Sequence, residues 1–209
     1  MPTIKQLPLG PLQTNCYLLV CDETQHAAVI DPSWEGHTIA KHATDNGYNI
    51  THILLTHSHF DHIAGLAEIK QDTNAPIYIH ADAVPGLTTG SRLAQMWNIT
   101  FPEPPPHDEL ITADQTFTIG HLTLHALYTP GHAPGHISFY LPSHGVVFAG
   151  DTLFQQSIGR TDLPGGDHPL LIQSITDKLL SLPDDTQVLP GHGPVTTIGQ
   201  EKQWNPFLR

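Results

Sequence analysis

The stretch Thr56-His57-Ser58-His59-Phe60-Asp61-His62 decides the reading of this chain. It follows the apolar, β-branched run 50–55 and precedes a helix-like stretch, Asp61 to Lys70. His57, His59, Asp61 and His62 therefore stand where a buried strand opens into a loop. Imidazole and carboxylate are ligands that zinc, iron and manganese accept. Side-chain direction repeats every two residues in extended chain, so His57 and His59 point the same way and can grip one ion. Asp61 and His62 lie at the helix start, turned away from that pair, where they can hold a second.

Length and composition narrow the rest. A chain of 209 residues reads as one domain, 1–209, large enough for a two-sheet core with covering helices. The formal net charge is −12, and the eight Lys and Arg are spread singly. That balance argues against nucleic acid or an anionic membrane as partner, since neither phosphate backbone finds a basic patch. No run approaches the ~18 apolar residues of a membrane span. The opening MPTIKQLPLG lacks a basic segment followed by an apolar one. The expected address is the cytoplasm. Cys16 and Cys21, at odd separation in one strand-like segment, face opposite ways and are expected to be reduced and packed.

Along the chain, residues 3–8, 16–21 and 26–31 read as an antiparallel meander separated by turn signals. A helix is expected over 35–46, a strand over 50–55, a helix over 61–70, a strand over 76–80, and a helix over 81–95 broken near Pro85-Gly86. The segment FPEPPPH, 101–107, cannot be regular structure and is expected to act as a covering flap. Strands follow at 116–119, 122–128, 137–141 and 145–148, then a helix over 167–180, a strand over 186–189 and a closing helix over 197–204. Meanders with helices at their ends predict two sheets packed face to face, each covered by helices: an α+β, four-layer αββα sandwich.

Three more segments end a strand on a ligand type, each directly after Gly: His132 in Thr-Pro-Gly-His, Asp151 in Ala-Gly-Asp, and His192 in Pro-Gly-His-Gly. Glycine permits a sharp turn at a strand's end, which would gather all three on one rim.

In this order, with HSHFDH first, these segments resemble the metal signature of the metallo-β-lactamase superfamily over nearly the full chain. The resemblance implies that His57, His59 and His132 hold one divalent ion and that Asp61, His62 and His192 hold the other, with Asp151 bridging. Zinc is the first expectation, iron or manganese the alternatives. It further implies that Asp31, at the end of its strand, orients a ligand histidine from behind, and that His136 is not a ligand. Such a pair of ions leaves a shared solvent position whose water loses a proton near neutral pH, a bridging hydroxide as nucleophile. Asp61 would also steer that hydroxide as a catalytic residue.

Within the superfamily, GDTLFQQSIGRTDLPGGD at 150–167 and PGHGPVTTIGQEKQWNPFL at 190–208 look like compact bacterial type II glyoxalases, the hydroxyacylglutathione hydrolases. That likeness implies hydrolysis of a thioester, S-D-lactoylglutathione, to D-lactate and glutathione. It suggests that Arg160 pairs with a substrate carboxylate, against the plain alternative of a salt bridge to Asp162. Full-length glyoxalases of this type carry a C-terminal helical domain that grips glutathione. Here 17 residues follow His192, so weaker glutathione specificity is expected. The main rival on the same scaffold is a persulfide dioxygenase, which resembles the GRTD segment 159–162 and uses one iron on the equivalents of His57, His132 and Asp151. A β-lactamase ranks lower, because the common subclass lacks the Asp of HSHFDH.

Overall fold

The computed structural model describes residues 2–95 and 98–209. The first half builds a six-stranded sheet in the order β1 (Pro2–Leu9), β2 (Thr14–Cys21), β3 (His26–Ile30), β4 (Asn49–Leu54), β5 (Ile77–His80), β6 (Glu109–Ile111). Helices α1 (Gly36–Asp45), α2 (Phe60–Ile63), α3 (Leu66–Thr73) and α4 (Val84–Gln95) fall between those strands. The second half builds β7 (Thr116–Ile119), β8 (Leu122–Tyr128), β9 (Ile137–Leu141), β10 (Val146–Gly150), a small hairpin of β11 (Leu153–Phe154) and β12 (Ser157–Ile158), helix α5 (His168–Ser174), β13 (Gln187–Pro190), β14 (Thr196–Thr197) and helix α6 (Ile198–Trp204). Its sheet runs β14-β13-β10-β9-β8-β7.

Strand β2 shows why this makes four layers. All eight of its residues are buried, so both its faces need cover. Cys16, Leu18 and Val20 pack with Ile39 and Ala43 of α1, Leu66 and Ile69 of α3, and Leu87 of α4. Tyr17, Leu19 and Cys21 face Phe117, Phe139 and Phe148 of the other sheet. Behind that sheet, Val147, Ala149 and Val188 meet Leu171 of α5 and Ile198 of α6. The αββα sandwich stands as expected, and Cys16 and Cys21 are free thiols in different layers.

Strand direction then places the ligands. β10 runs parallel to β13 and antiparallel to β9, which is antiparallel to β8, so β8, β10 and β13 all end on one edge. β3, β4 and β5 are mutually parallel in the first sheet. Ligand types that follow strand ends therefore meet at a rim.

Four expectations need correction. The helix over 61–70 is two helices, because Gly65 turns the chain to donate its N–H to the Pro32 and Ser33 carbonyls at 2.9 and 3.0 Å. A side chain at Gly65 would sit 3.0 Å from the Gly36 nitrogen. The helix over 81–95 breaks before Pro85: a 3₁₀ turn, Ala81–Ala83, leads into α4, which runs on through Pro85-Gly86. Pro85 lies in the first turn, where its missing N–H costs nothing. The helix over 167–180 is α-helical to Ser174 and then a π-turn, Ile175–Leu179, with Asp167 as its cap. Segment 101–107 is irregular as expected but does not line the cleft described below. Instead Phe101 packs edge-on against Trp34, and Trp34 against Phe60, each pair at 6.3 Å. Among the described residues, no helix is long and apolar enough to cross a membrane.

Candidate metal centre

On the first sheet, the groups behind the histidines are as ordered as the histidines. Asp31 follows β3 in the left-handed region, φ 51°, and its N–H donates to the Leu54 carbonyl. Its carboxylate accepts the Thr56 N–H and hydroxyl, both at 2.7 Å, and His62 Nδ1 at 2.9 Å. The Thr56 hydroxyl, donating to Asp31, in turn accepts from His57 Nδ1 at 2.9 Å. Each ring thus has its Nδ1 side occupied and turns Nε2 inward. Asp31 holds His62 directly and His57 through Thr56.

The second sheet supplies its groups singly. His132 donates Nδ1–H to the Arg160 carbonyl at 2.8 Å, and its Nε2 stands 2.9 Å from His59 Nδ1. Gly131 and Gly150 adopt positive φ, 126° and 51°, as the sharp-turn argument requires. Gly191 does not belong with them. Its reason is room: a side chain there would overlap Asp151 Oδ1 and come within 2.7 Å of the His62 ring. His192 Nε2 lies 3.1 Å from Asp61 Oδ2.

The structure brings all seven residues together. The ligand atoms of His57, His59 and His132 lie within 4.8 Å of one another, and so do those of Asp61, His62 and His192. Asp151 stands between the groups, with Oδ1 3.4 Å from His62 Nε2 and Oδ2 3.5 Å from His132 Nε2 and 3.6 Å from His192 Nε2. A third trio, Asp31 with His57 and His62, is equally close. There the carboxylate oxygens already accept protein donors, so Asp31 serves as an orienter. His136 is fully buried with both nitrogens engaged: Nδ1 with the Thr129 hydroxyl at 3.0 Å, and Nε2 accepting the Asp151 N–H at 3.1 Å. It has no lone pair left for an ion.

Electrostatics divides the centre. Burial, then neighbouring imidazoles, hold His57 and His136 far below the ordinary range and bring His59 down to about 4. His132 is lowered by burial, with Asp151 and the Arg160 carbonyl pulling back. For His62 and His192 burial also lowers, but it is overcome by Asp151, Asp61 and Asp31 in the first case and chiefly by Asp61 in the second, so both are raised. Burial pushes Asp61 up, yet His62 and His192 outweigh it and leave Asp61 at about 2; Asp151 also lies below the usual range. One trio is neutral imidazole and the other is balanced by carboxylates.

Among the described residues, His57 Nε2, His62 Nε2 and Asp151 Oδ1 are buried with no hydrogen-bond partner. Orphaned buried polar atoms are costly unless something compensates them. Here they converge within two His/Asp clusters, and that donor set suits a binuclear site for divalent cations.

Sequence reading missed Thr14, Asn15, Tyr17 and Thr56. Thr14 donates to Asp61 Oδ2 at 3.0 Å, while Asn15 and Tyr17 donate to the Pro190 carbonyl at 2.9 and 2.7 Å, fixing the turn that carries His192. The available signal was a pair of polar residues, Thr14-Asn15, opening a strand that is otherwise apolar. Arg160 is exposed and grips Asp162 through Nε and Nη2 at 2.7 and 2.8 Å.

A cleft of about 690 Å³ opens over the centre. His59, Asp61, His132, Asp151 and His192 form its floor, and Leu12, Phe60, Pro85, Phe154, Ile158 and Leu163 contribute apolar wall. Asp82 and Arg160 lie on its lining.

Residues 9–192 match the family model described as the metallo-beta-lactamase superfamily. The probable metallo-hydrolase YqgX of Bacillus subtilis is 41% identical over 98% of this chain and 96% of its own. The hydroxyacylglutathione hydrolase GloC of Haemophilus influenzae is 37% identical over 98% and 97%. Among solved structures, the BLEG-1 B3 metallo-beta-lactamase superposes with TM-score 0.92 at 42% identity, covering 99% of both chains. TTHA1623 in a di-iron-bound form superposes with TM-score 0.90 at 39% identity, covering 98% of this chain and 100% of that one. With the strand ends, the paired clusters and these likenesses in agreement, the chain belongs to the metallo-beta-lactamase superfamily.

Proposed function

We propose that this protein is a metal-dependent hydrolase of acyl thioesters, with S-D-lactoylglutathione, cleaved to D-lactate and glutathione, as the first substrate to test. The observation that carries the reading is the convergence of three orphaned buried atoms, His57 Nε2, His62 Nε2 and Asp151 Oδ1, the last belonging to a residue that lines a cleft. The family and the GloC relative support the reaction class.

In this reading His57, His59 and His132 would hold one divalent cation and Asp61, His62 and His192 the other, with Asp151 standing between the two groups. Bound cations supply a Lewis acid for the carbonyl and an acidified water. Asp61, held at Oδ2 by the Thr14 hydroxyl, would orient that water. Net, water adds its oxygen to the carbonyl carbon and the carbon–sulfur bond breaks; one proton of the water goes to the leaving thiolate and the other to solvent, leaving D-lactate as its carboxylate. Arg160 exchanges Asp162 for a carboxylate of the glutathione moiety. The partner is thus a small molecule, the ions are zinc first with iron or manganese as alternatives, and the compartment is the cytoplasm.

The test combines metal analysis of anaerobically purified protein with three assays: lactoylglutathione hydrolysis, β-lactam hydrolysis, and persulfide-dependent oxygen uptake. Two ions per chain, thioester turnover abolished by chelation and restored by metal, and loss of turnover in a folded His57→Ala variant are expected. Oxygen uptake with one iron per chain would move the protein to the dioxygenase reading. β-Lactam turnover without thioester turnover would move it toward BLEG-1, and turnover that persists without metal would sink the scheme.

A further inference from the structure

Glu201 is the buried carboxylate that the metal centre does not use. It is 1% exposed, on α6 near the end of the chain. Its Oε1 accepts the Thr196 hydroxyl at 2.6 Å, and its Oε2 accepts the Gln156 N–H and Asn205 Nδ2, each at 2.8 Å. Asn205, itself fully buried, also donates Nδ2 to the Ser157 carbonyl at 3.0 Å. Two side chains from the C-terminal helix region thus clamp the tip of the β11–β12 hairpin. Gln156 at that tip sits in the left-handed region, φ 55°, a conformation that a non-glycine residue keeps when its surroundings enforce it.

The hairpin belongs to an excursion with both ends in the centre. It leaves directly after Asp151 and closes with the Gly159 N–H donating to the Thr152 carbonyl at 3.1 Å. The next residue, Arg160, offers the carbonyl that takes His132 Nδ1–H. A side chain at Gly159 would overlap the Asp151 carbonyl and lie 3.1 Å from His132 Nδ1, so the backbone has little freedom there. Phe154 of the same hairpin packs edge-on against His192 at 6.3 Å. Displacing the tip therefore displaces the acceptor that orients His132.

We propose that Glu201 and Asn205 are positioning residues for the metal centre, acting on His132 through the backbone of residues 152–160. This rests on the reading of His132 as a ligand. The acceptor behind a ligand imidazole fixes its tautomer and ring orientation, and disturbing it costs 10- to 100-fold in metal affinity.

The test uses the full chain with Glu201→Ala, Asn205→Ala, Glu201→Gln and Thr196→Val. Zinc affinity is measured by chelator competition, the His132 ring N–H by proton NMR, and kcat and KM separately. Glu201→Ala and Asn205→Ala are expected to bind zinc about ten-fold more weakly, to shift the His132 ring N–H resonance, and to lose kcat with little change in KM. Glu201→Gln should rescue, because one amide oxygen can accept from Gln156 and Asn205 while the Thr196 hydroxyl turns to accept. Thr196→Val, which spares the Oε2 contacts, should bind zinc as wild type does. Should Glu201→Ala fail to fold, Asn205→Ala carries the test. Wild-type zinc affinity and an unmoved resonance in the folded variants overturn the proposal alone. A wild-type chain that takes up neither zinc, iron nor manganese overturns the reading beneath it as well.

Discussion

The two sheets furnish the rim in opposite ways. The first delivers His57, His59, Asp61 and His62 from one loop, set from behind by Asp31 and Thr56. The second delivers His132, Asp151 and His192 from three separate strand ends, each preceded by a glycine that the packing requires. A contiguous loop can shift as a unit and keep its internal spacing. Three independent turns hold register only if each backbone follows its own path. Backbone changes should therefore do most harm on the second sheet, and loss of an orienting side chain should do most harm on the first.

The largest effect is expected at Gly191. In Gly191→Ala the new methyl overlaps Asp151 Oδ1, so the shared carboxylate or the His192 turn must move. Misplacement of about 1 Å costs on the order of 100-fold in rate; steady-state kinetics with metal analysis measures it, and a fully active Gly191→Ala would break the contrast. Next comes Asp31→Ala, which strands the Thr56 N–H and His62 Nδ1 inside the protein. Metal affinity should fall 10- to 100-fold, with a stability loss of about 3 kcal/mol, read by chelator competition and denaturant melts.

A pH series on metal-free protein sharpens the electrostatic side of the comparison. His57, His59 and His136 have folded values below the ordinary 6.5, so their stabilising share is whole above pH 6.5 and is lost as pH falls toward the about 4 of His59. The loss reaches up to about 1.4 kcal/mol per pH unit for each group. His62 and His192 are raised, so their share is whole below pH 6.5 and fades as pH rises through their folded values. The melting temperature of the metal-free chain should peak near pH 6.5, and a monotonic rise with pH would refute the division. The smallest effect is expected for Arg160→Ala: a few-fold rise in KM for lactoylglutathione with an unchanged melting temperature, because an exposed pair contributes little to folding.

How much could be read from the sequence follows the same divide. HSHFDH was legible because all its information is local: a β-branched run, a period of two, then a helix start. His132, Asp151 and His192 were legible only together, since a single Pro-Gly-His is an ordinary turn. Asn15 and Tyr17 escaped because their partner lies across the sandwich, Tyr17 and the Pro190 carbonyl it bonds being 173 positions apart, and Thr14 because Asp61 lies 47 positions on. Gly191 reads in sequence only as a turn residue, because its crowding by Asp151 is invisible until both turns are in place. The helix over 61–70 is split because Gly65 breaks it to meet the loop at 32–33, a contact that helical periodicity does not encode.

The hydrogen bonds from Asn15 and Tyr17 to the Pro190 carbonyl carry a last consequence. They stitch the opening meander to the turn before His192 across the seam between the sheets. Slippage of one sheet on the other would pull the two trios apart while leaving every strand intact. Activity in this molecule is thus a gauge of sheet alignment, and it should fail before secondary structure does.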